Sequence, residues 1–475
     1  MNHFNRHKNK IPTQKYSKET FAKPNGKKHY LSAGSLLWIG LGGIIGAGFF
    51  LASGLPIRYA GPSVVFAYLL GGILTAHIAG ALTSLLVSHP VEGSFKVYAE
   101  EFMGPFVGYF VGWTFWIASI LAIGSETIAM AIFSQLWFPN VPQWTLTLIY
   151  SVIVIILNAV GLKNFGKVET VMSVTKVLAL VLFILIGAAA LLGFFSTTHT
   201  VGIRTFLGNG GWFPNGFSGF MQSMLIVIFA FAGIAVIAMA SSETKNPQKD
   251  IPRAMVWLNG LLITLYVISI FMVLCLVPWD SVSTNTSPFV LALHVVNIPL
   301  TASIMNFIIL ISAFSVMVGT FYAAIIMLVT LGHARQAPPF VTKKSEKGVY
   351  SNSLLITSAS LGVIIVTSFM VPSKIYDYLI SASAYFAFLT LIAILLCFLL
   401  WLRKEKKAHP DTIYISKLAF GAPWLTILTL GIIIFLLLYS LTIPDQRRGF
   451  YFALGFSLVI SLCYWFVLQK HRTSK

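Results

Sequence analysis

About twelve times along this chain an apolar run of roughly 20 residues or more recurs, the length a helix needs to cross a hydrocarbon core of about 30 Å at 1.5 Å rise per residue. Inside that core every backbone N–H and C=O must be paired within the protein, so only helices or a closed barrel can span it. The runs lack the two-residue alternation of barrel strands. The chain therefore reads as an all-α integral membrane protein. Its charged fraction of 10% agrees, since a soluble domain carries roughly 25%.

Read between turn and charge signals, the spans fall near 34–57, 62–88, 105–136, 143–161, 170–195, 218–240, 257–277, 302–331, 352–371, 378–401, 422–443 and 449–468. With the N-terminus in the cytoplasm, 26 of the 32 Lys and Arg lie on inner segments; Arg58, Arg204, Lys374, Arg447 and Arg448 lie outside, and Lys176 alone lies within a span. Such an excess of inner basic residues sets orientation, so both termini are expected in the cytoplasm of a multi-pass cell-membrane protein. The net charge of +18 is then topological and suits anionic lipid rather than nucleic acid. Residues 1–30 form a basic, polar tail expected to be disordered, and the length of that tail before the first apolar run argues against a cleaved signal. Residues 89–104 read as a short polar inner connection with an amphipathic stretch at the interface.

The cysteines Cys275, Cys397 and Cys463 lie far apart within apolar runs, which suggests neither a disulfide framework nor a metal site. No cofactor is implied. Two spans depart from simple apolar helices. The first holds Gly42-Gly43-Ile44-Ile45-Gly46-Ala47-Gly48, which weakens the helix and bares its backbone; close helix packing through Gly42 and Gly46 is the competing account. No strand precedes these glycines, so a nucleotide-binding loop is excluded. The sixth span, five later, carries Phe229-Ala230-Phe231-Ala232-Gly233-Ile234-Ala235. Interrupted spans at matching places in two halves point to an inverted-repeat carrier with its site at the membrane midplane.

Three segments in order, GGIIGAGFFLASGLPIRYAGPSVVFAYLLGG at 42–72, HPVEGSFKVYAEEFMGPFVGYFVGWTFW at 89–116 and SSETKNPQKDIPRA at 241–254, resemble the amino acid transporter family of the amino acid-polyamine-organocation superfamily. The resemblance covers spans 1 to 10. It implies a five-plus-five inverted repeat at 31–402, the leucine-transporter-like fold, with two additional helices at 403–475. It also implies a substrate held between broken spans 1 and 6. Unpaired amides at Ile45, Gly46, Ala47 and Gly48 would receive the carboxylate, and carbonyls near Phe229, Ala232 and Gly233 the α-amino group.

Placing Lys176 inside a helix costs roughly 2.5–3.5 kcal/mol at the bilayer centre, so such a lysine is either functional and paired or snorkels to the interface. Its setting, Ser173-Val174-Thr175-Lys176-Val177, looks like the span 5 motif whose lysine takes the place of a sodium ion in proton-coupled relatives. Glu126 in span 3 matches an acidic position of the family and either relays a proton or pairs with a neighbouring span. His77 in span 2 reads as a hydrogen-bonded packing residue.

The chain departs from its relatives in having Ala235 and Ser84 where many carry glutamate, and Val318 and Ile326 where asparagine and arginine are expected; Asn306, Ser315 and Tyr322 keep the pattern. Without a carboxylate at position 235, and with Phe229, Phe231 and Ile234 near it in sequence, the substrate is expected to be a neutral, hydrophobic amino acid. Secondary active transport by proton symport is the expected function. An exchanger and a non-transporting amino acid sensor are the alternatives. No HExxH, no GxSxG and no paired intramembrane aspartates suggest an enzyme.

Overall fold

A computed structural model describes residues 31–89, 94–160, 165–234, 237–238, 244, 246–283, 286–345, 349–370, 375–408 and 413–473. The basic tail and Ala235 lie outside the described residues.

Among the described residues, twelve spans follow one another. Span 1 is Ala33–Ile44 (1a) continued, after a break at Ile45 and Gly46, by Ala47–Phe50 and Gly54–Ala60 (1b). Spans 2 to 5 are Val64–Ser88, Pro105–Gln135, Gln143–Val160 and Phe165–Leu191. Span 6 begins as Gly216–Ala230, turns at residues 231–233 and resumes at Ile234. Spans 7 to 10 are Pro247–Leu276, Thr301–His333, Ser351–Met370 and Ile375–Ala408, and spans 11 and 12 are Trp424–Tyr439 and Pro444–Thr473. Among the described residues, Ala33–Ile44 and Gly216–Ala230 are the apolar helices too short to cross a membrane alone. They are the first halves of the two spans marked by their glycines.

Local chemistry sets the helix starts. The Ser32 hydroxyl accepts the amide of Ser35 at 3.2 Å and caps span 1a. Spans 3 and 7 open on Pro105 and Pro247, whose missing N–H would have had no helical partner there. Gly104, at φ 101°, makes the turn into span 3 that a side chain would resist.

The packing obeys one exchange rule. Span 1 packs on span 7 as span 6 packs on span 2, span 1 on span 5 as span 6 on span 10, and span 3 on span 10 as span 8 on span 5. Span 3 meets span 4 as span 8 meets span 9, while the pairs 2 with 7, 3 with 8 and 4 with 9 map onto themselves. Exchanging span n with span n+5 thus preserves every one of these contacts, as a five-plus-five repeat requires. Spans 4, 9, 11 and 12 form the less buried periphery, and spans 2, 8 and 10 the interior.

Helix ends differ from the apolar runs. Span 5 starts at Phe165 rather than 170, span 7 at Pro247 rather than 257, and span 10 runs on to Ala408. Polar residues at a helix end do not register as hydrophobic, although the backbone continues through them. One consequence is that Glu169 lies within span 5, buried. The connection after span 2 contains the helix Ser94–Met103, which packs on spans 3 and 10 and buries Lys96 in an ion pair with Glu100. The segment before span 11 lies against span 2, where a Cβ on Gly80 would sit 2.3 Å from the Ala419 nitrogen.

Candidate functional site

The break in span 1 is held open from three sides. Ile45 leaves helical geometry at ψ 99°, and Gly46 is extended at φ −144° and ψ −157°, a backbone that any residue adopts. Glycine is needed at position 46 for space: a Cβ there would lie 2.8 Å from both Oε1 of Glu126 and Cγ2 of Val316. Gly48 differs, because its Cβ would make an ordinary 3.7 Å contact with the Phe229 ring.

The bared backbone is taken up by side chains. The amide of Ala47 donates to Oε2 of Glu126 at 3.0 Å, and the Gly48 amide faces the same carboxylate. The Tyr376 hydroxyl, from span 10, donates to the Ala47 carbonyl at 3.1 Å. On the other side of the break, the Lys176 ammonium donates to the Gly42 carbonyl at 2.6 Å and to the Ser315 hydroxyl at 2.9 Å. Spans 3, 5 and 10 therefore each place one polar side chain on the last turn of 1a or the first turn of 1b, and Ser315 of span 8 supports Lys176 from behind. Of the four amides assigned to a carboxylate, that of Ile45 closes the helical turn on Leu41 at 3.0 Å, whereas those of Ala47 and Gly48 turn toward Glu126.

The span 6 turn sits directly behind. Gly233 touches span 1: a Cβ on it would lie 2.9 Å from the Gly43 carbonyl oxygen and 2.6 Å from Cγ1 of Ile44. Only glycine lets the two breaks approach this closely. The Phe229 carbonyl accepts the Ala232 amide at 2.9 Å, closing the turn. Phe231 packs among Tyr68 and Tyr266, with Phe49 stacked on Tyr266 at 3.6 Å between ring centroids. That buried aromatic cluster joins spans 1, 2, 6 and 7 behind the breaks. Ile45, Gly46, Ala47, Gly48, Phe229, Ala232 and Gly233 are thus brought together, and Ala235 lies outside the described residues.

Lys176 is wholly buried and hydrogen-bonded inward, which removes the snorkelling alternative. Its charge is answered through Ser315, whose hydroxyl donates in turn to Oε1 of Glu169 at 2.6 Å. Glu169 is the residue that the apolar pattern missed, and its signal was the spacing: seven residues, close to two turns, place it on the same helix face as Lys176. Gly42 makes room for it, since a Cβ there would stand 1.9 Å from Glu169 Oε1. Gly42 and Gly46 therefore serve both packing and the polar network.

Two other positions are structural. His77 Nε2 lies 2.9 Å from the Thr426 hydroxyl, joining spans 2 and 11. Ser84 donates to Gly80 and accepts the Ser416 amide at 2.9 Å, anchoring the segment before span 11. A cavity of about 670 Å³ lies elsewhere, at the ends of spans 2, 7 and 10, with His89, Glu101, Lys249, Lys404 and Glu405 on its walls.

The amino acid permease family model matches residues 35–474. The chain belongs to the amino acid permease family. It is 32% identical to the gamma-aminobutyric acid permease of Bacillus subtilis over 451 residues, covering 95% of this chain and 96% of that one. The D-serine/D-alanine/glycine transporter of Escherichia coli is 32% identical over 414 residues, 86% of this chain and 87% of its own. The amino-acid permease RocC of Bacillus subtilis is 33% identical over 436 residues, 90% and 92% of the two chains. These relatives are permeases and transporters of the amino acid-polyamine-organocation superfamily, so this family member is an amino acid transport protein of the membrane.

Proposed function

We propose that this permease carries a neutral, hydrophobic amino acid across the cell membrane by proton symport. The observation that carries the coupling is Lys176: a fully buried ammonium grips the Gly42 carbonyl at the last turn before the span 1 break. A change in its protonation changes how firmly that turn is held, because a charge-assisted hydrogen bond is about twice as strong as a neutral one.

The substrate carboxylate is assigned to the amides of Gly46, Ala47 and Gly48, with Glu126 yielding its hold on them, and the α-amino group to the carbonyls of Ala232 and Gly233. Phe229 and Val316 border the break as an apolar wall. The carboxylates described beside it, Glu126 and Glu169, are already engaged by Ala47 and Ser315, which supports a neutral side chain. The gamma-aminobutyric acid and D-serine/D-alanine/glycine names of two relatives are in keeping with small substrates lacking a net charge.

Proteoliposomes given a panel of labelled amino acids test this directly. A pH gradient, acid outside, should concentrate neutral apolar substrates inside and leave lysine and arginine near equilibrium. Counterflow without gradient-driven accumulation would make the protein an exchanger.

Orientation is checked separately. In a variant with Cys275, Cys397 and Cys463 replaced, single cysteines at Lys8, Arg204 and Lys404 should differ toward an impermeant reagent on intact cells. Only the cysteine at position 204 is expected to react, since 26 of 32 basic residues fall on the opposite face. Labelling at position 8 or 404 overturns cytoplasmic termini.

A further inference from the structure

The charge of Lys176 is balanced at one remove. Its ammonium donates to Ser315 Oγ at 2.9 Å, and Ser315 Oγ donates to Glu169 Oε1 at 2.6 Å. All three side chains are buried, and they come from spans 5 and 8. Ammonium, hydroxyl and carboxylate in line form a complete donor–acceptor chain, with the hydroxyl already oriented to pass a proton along it.

We propose that Glu169 receives the proton of Lys176 through the Ser315 hydroxyl and delivers it toward the side of the membrane where span 1 begins. This rests on Lys176 being the coupling lysine. In the step, an N–H bond of the ammonium breaks as an O–H bond forms on Ser315 Oγ. The original Ser315 O–H breaks as one forms on Glu169 Oε1. Ammonium and carboxylate become amine and carboxylic acid, the hydroxyl is restored, and net charge is unchanged. Two buried charges are removed together, which offsets the weaker base strength of a carboxylate, since charged forms are costly to keep away from water.

The groups around Glu169 leave it this role. From span 1 it meets Gly42, which has no side chain, from its own helix Ser173 and Lys176, and from span 8 Ser315. Glu126 faces Lys176 from span 3, on the side of the span 1 break. Lys176 therefore stands between two carboxylates, one beside the break and one seven residues nearer the start of span 5, about 10 Å along the axis. Span 5 starts on the face where span 1a starts, the inner face in the topology above. The loss of the proton also weakens the hold on the Gly42 carbonyl, so proton release and loosening of span 1a are one event.

Glu169→Gln keeps an acceptor for Ser315 but cannot take the proton. It should lower pH-gradient-driven accumulation at least about tenfold while counterflow at one fixed pH falls by about threefold or less. Ser315→Ala should reproduce that split, Ser315→Thr should restore accumulation, and Glu169→Gln should cost nothing further in a Lys176→Ala background. A structural role would lower accumulation and counterflow in proportion, with no rescue by threonine, and would overturn the relay. Undiminished accumulation in Glu169→Gln beside an accumulating wild type overturns the relay alone. A wild type that does not accumulate under a pH gradient overturns the symport reading and the relay with it.

Discussion

Lys176→Ala is expected to remove concentrative uptake under an imposed pH gradient, lowering accumulation about tenfold to a hundredfold, and to flatten the pH dependence of uptake. Substrate binding measured at a single pH should persist. The reasoning is thermodynamic: a proton drives substrate only if the two states of the carrier differ in their affinity for it. In the proposed symport Lys176 supplies that difference, since its ammonium bonds the Gly42 carbonyl beside the span 1 break. Desolvation disfavours a charged ammonium in general, which lets a buried lysine lose and regain a proton within a transport cycle. Alanine leaves Gly42 and Ser315 without that partner at every pH, so the two states no longer differ by a proton. Uptake of labelled substrate into proteoliposomes across a series of pH values measures both effects. An alanine variant with the wild-type profile would reduce Lys176 to an anchor and move the coupling role to Glu126.

Most of the architecture is legible in the residue pattern, because lipid leaves so few options. Apolar length forces helices, and glycines mark the two spans that break. What remains hidden is how polar residues reach across from other helices. Hydropathy starts span 5 only after Glu169, since a carboxylate lowers the local average, yet Ser315 in span 8 compensates it at a separation of 146 residues. Tyr376 sits 329 residues from the Ala47 carbonyl that it bonds, and nothing near either one in sequence announces the other. Gly46 shows the same limit in reverse. Its composition signal suggests backbone freedom, whereas its φ and ψ are ordinary and the requirement is space beside Glu126 and Val316. Contacts within one helix face can be read by counting, but contacts between helices need the packing.

That distinction decides what Gly46→Leu should do. A leucine Cβ would begin 2.8 Å from the Glu126 carboxylate and from Val316, so the side chain must displace one of them or lie across the Ala47 and Gly48 amides. If packing alone were at stake, the cost would be an overpacking penalty of about 1–3 kcal/mol, felt as lower thermal stability with binding intact. If these amides receive the substrate carboxylate, binding itself should fall at least about a hundredfold, because a hydrogen bond to a charged group is replaced by apolar bulk in a buried site. Gly48→Ala is the matched control: its methyl makes an ordinary 3.7 Å contact with Phe229, and the variant should bind substrate close to the wild-type level. Scintillation proximity binding on purified, correctly folded protein separates these cases, with thermal melting recorded alongside. Normal binding by a destabilised Gly46→Leu would return the glycine to helix packing and remove the carboxylate from this part of span 1.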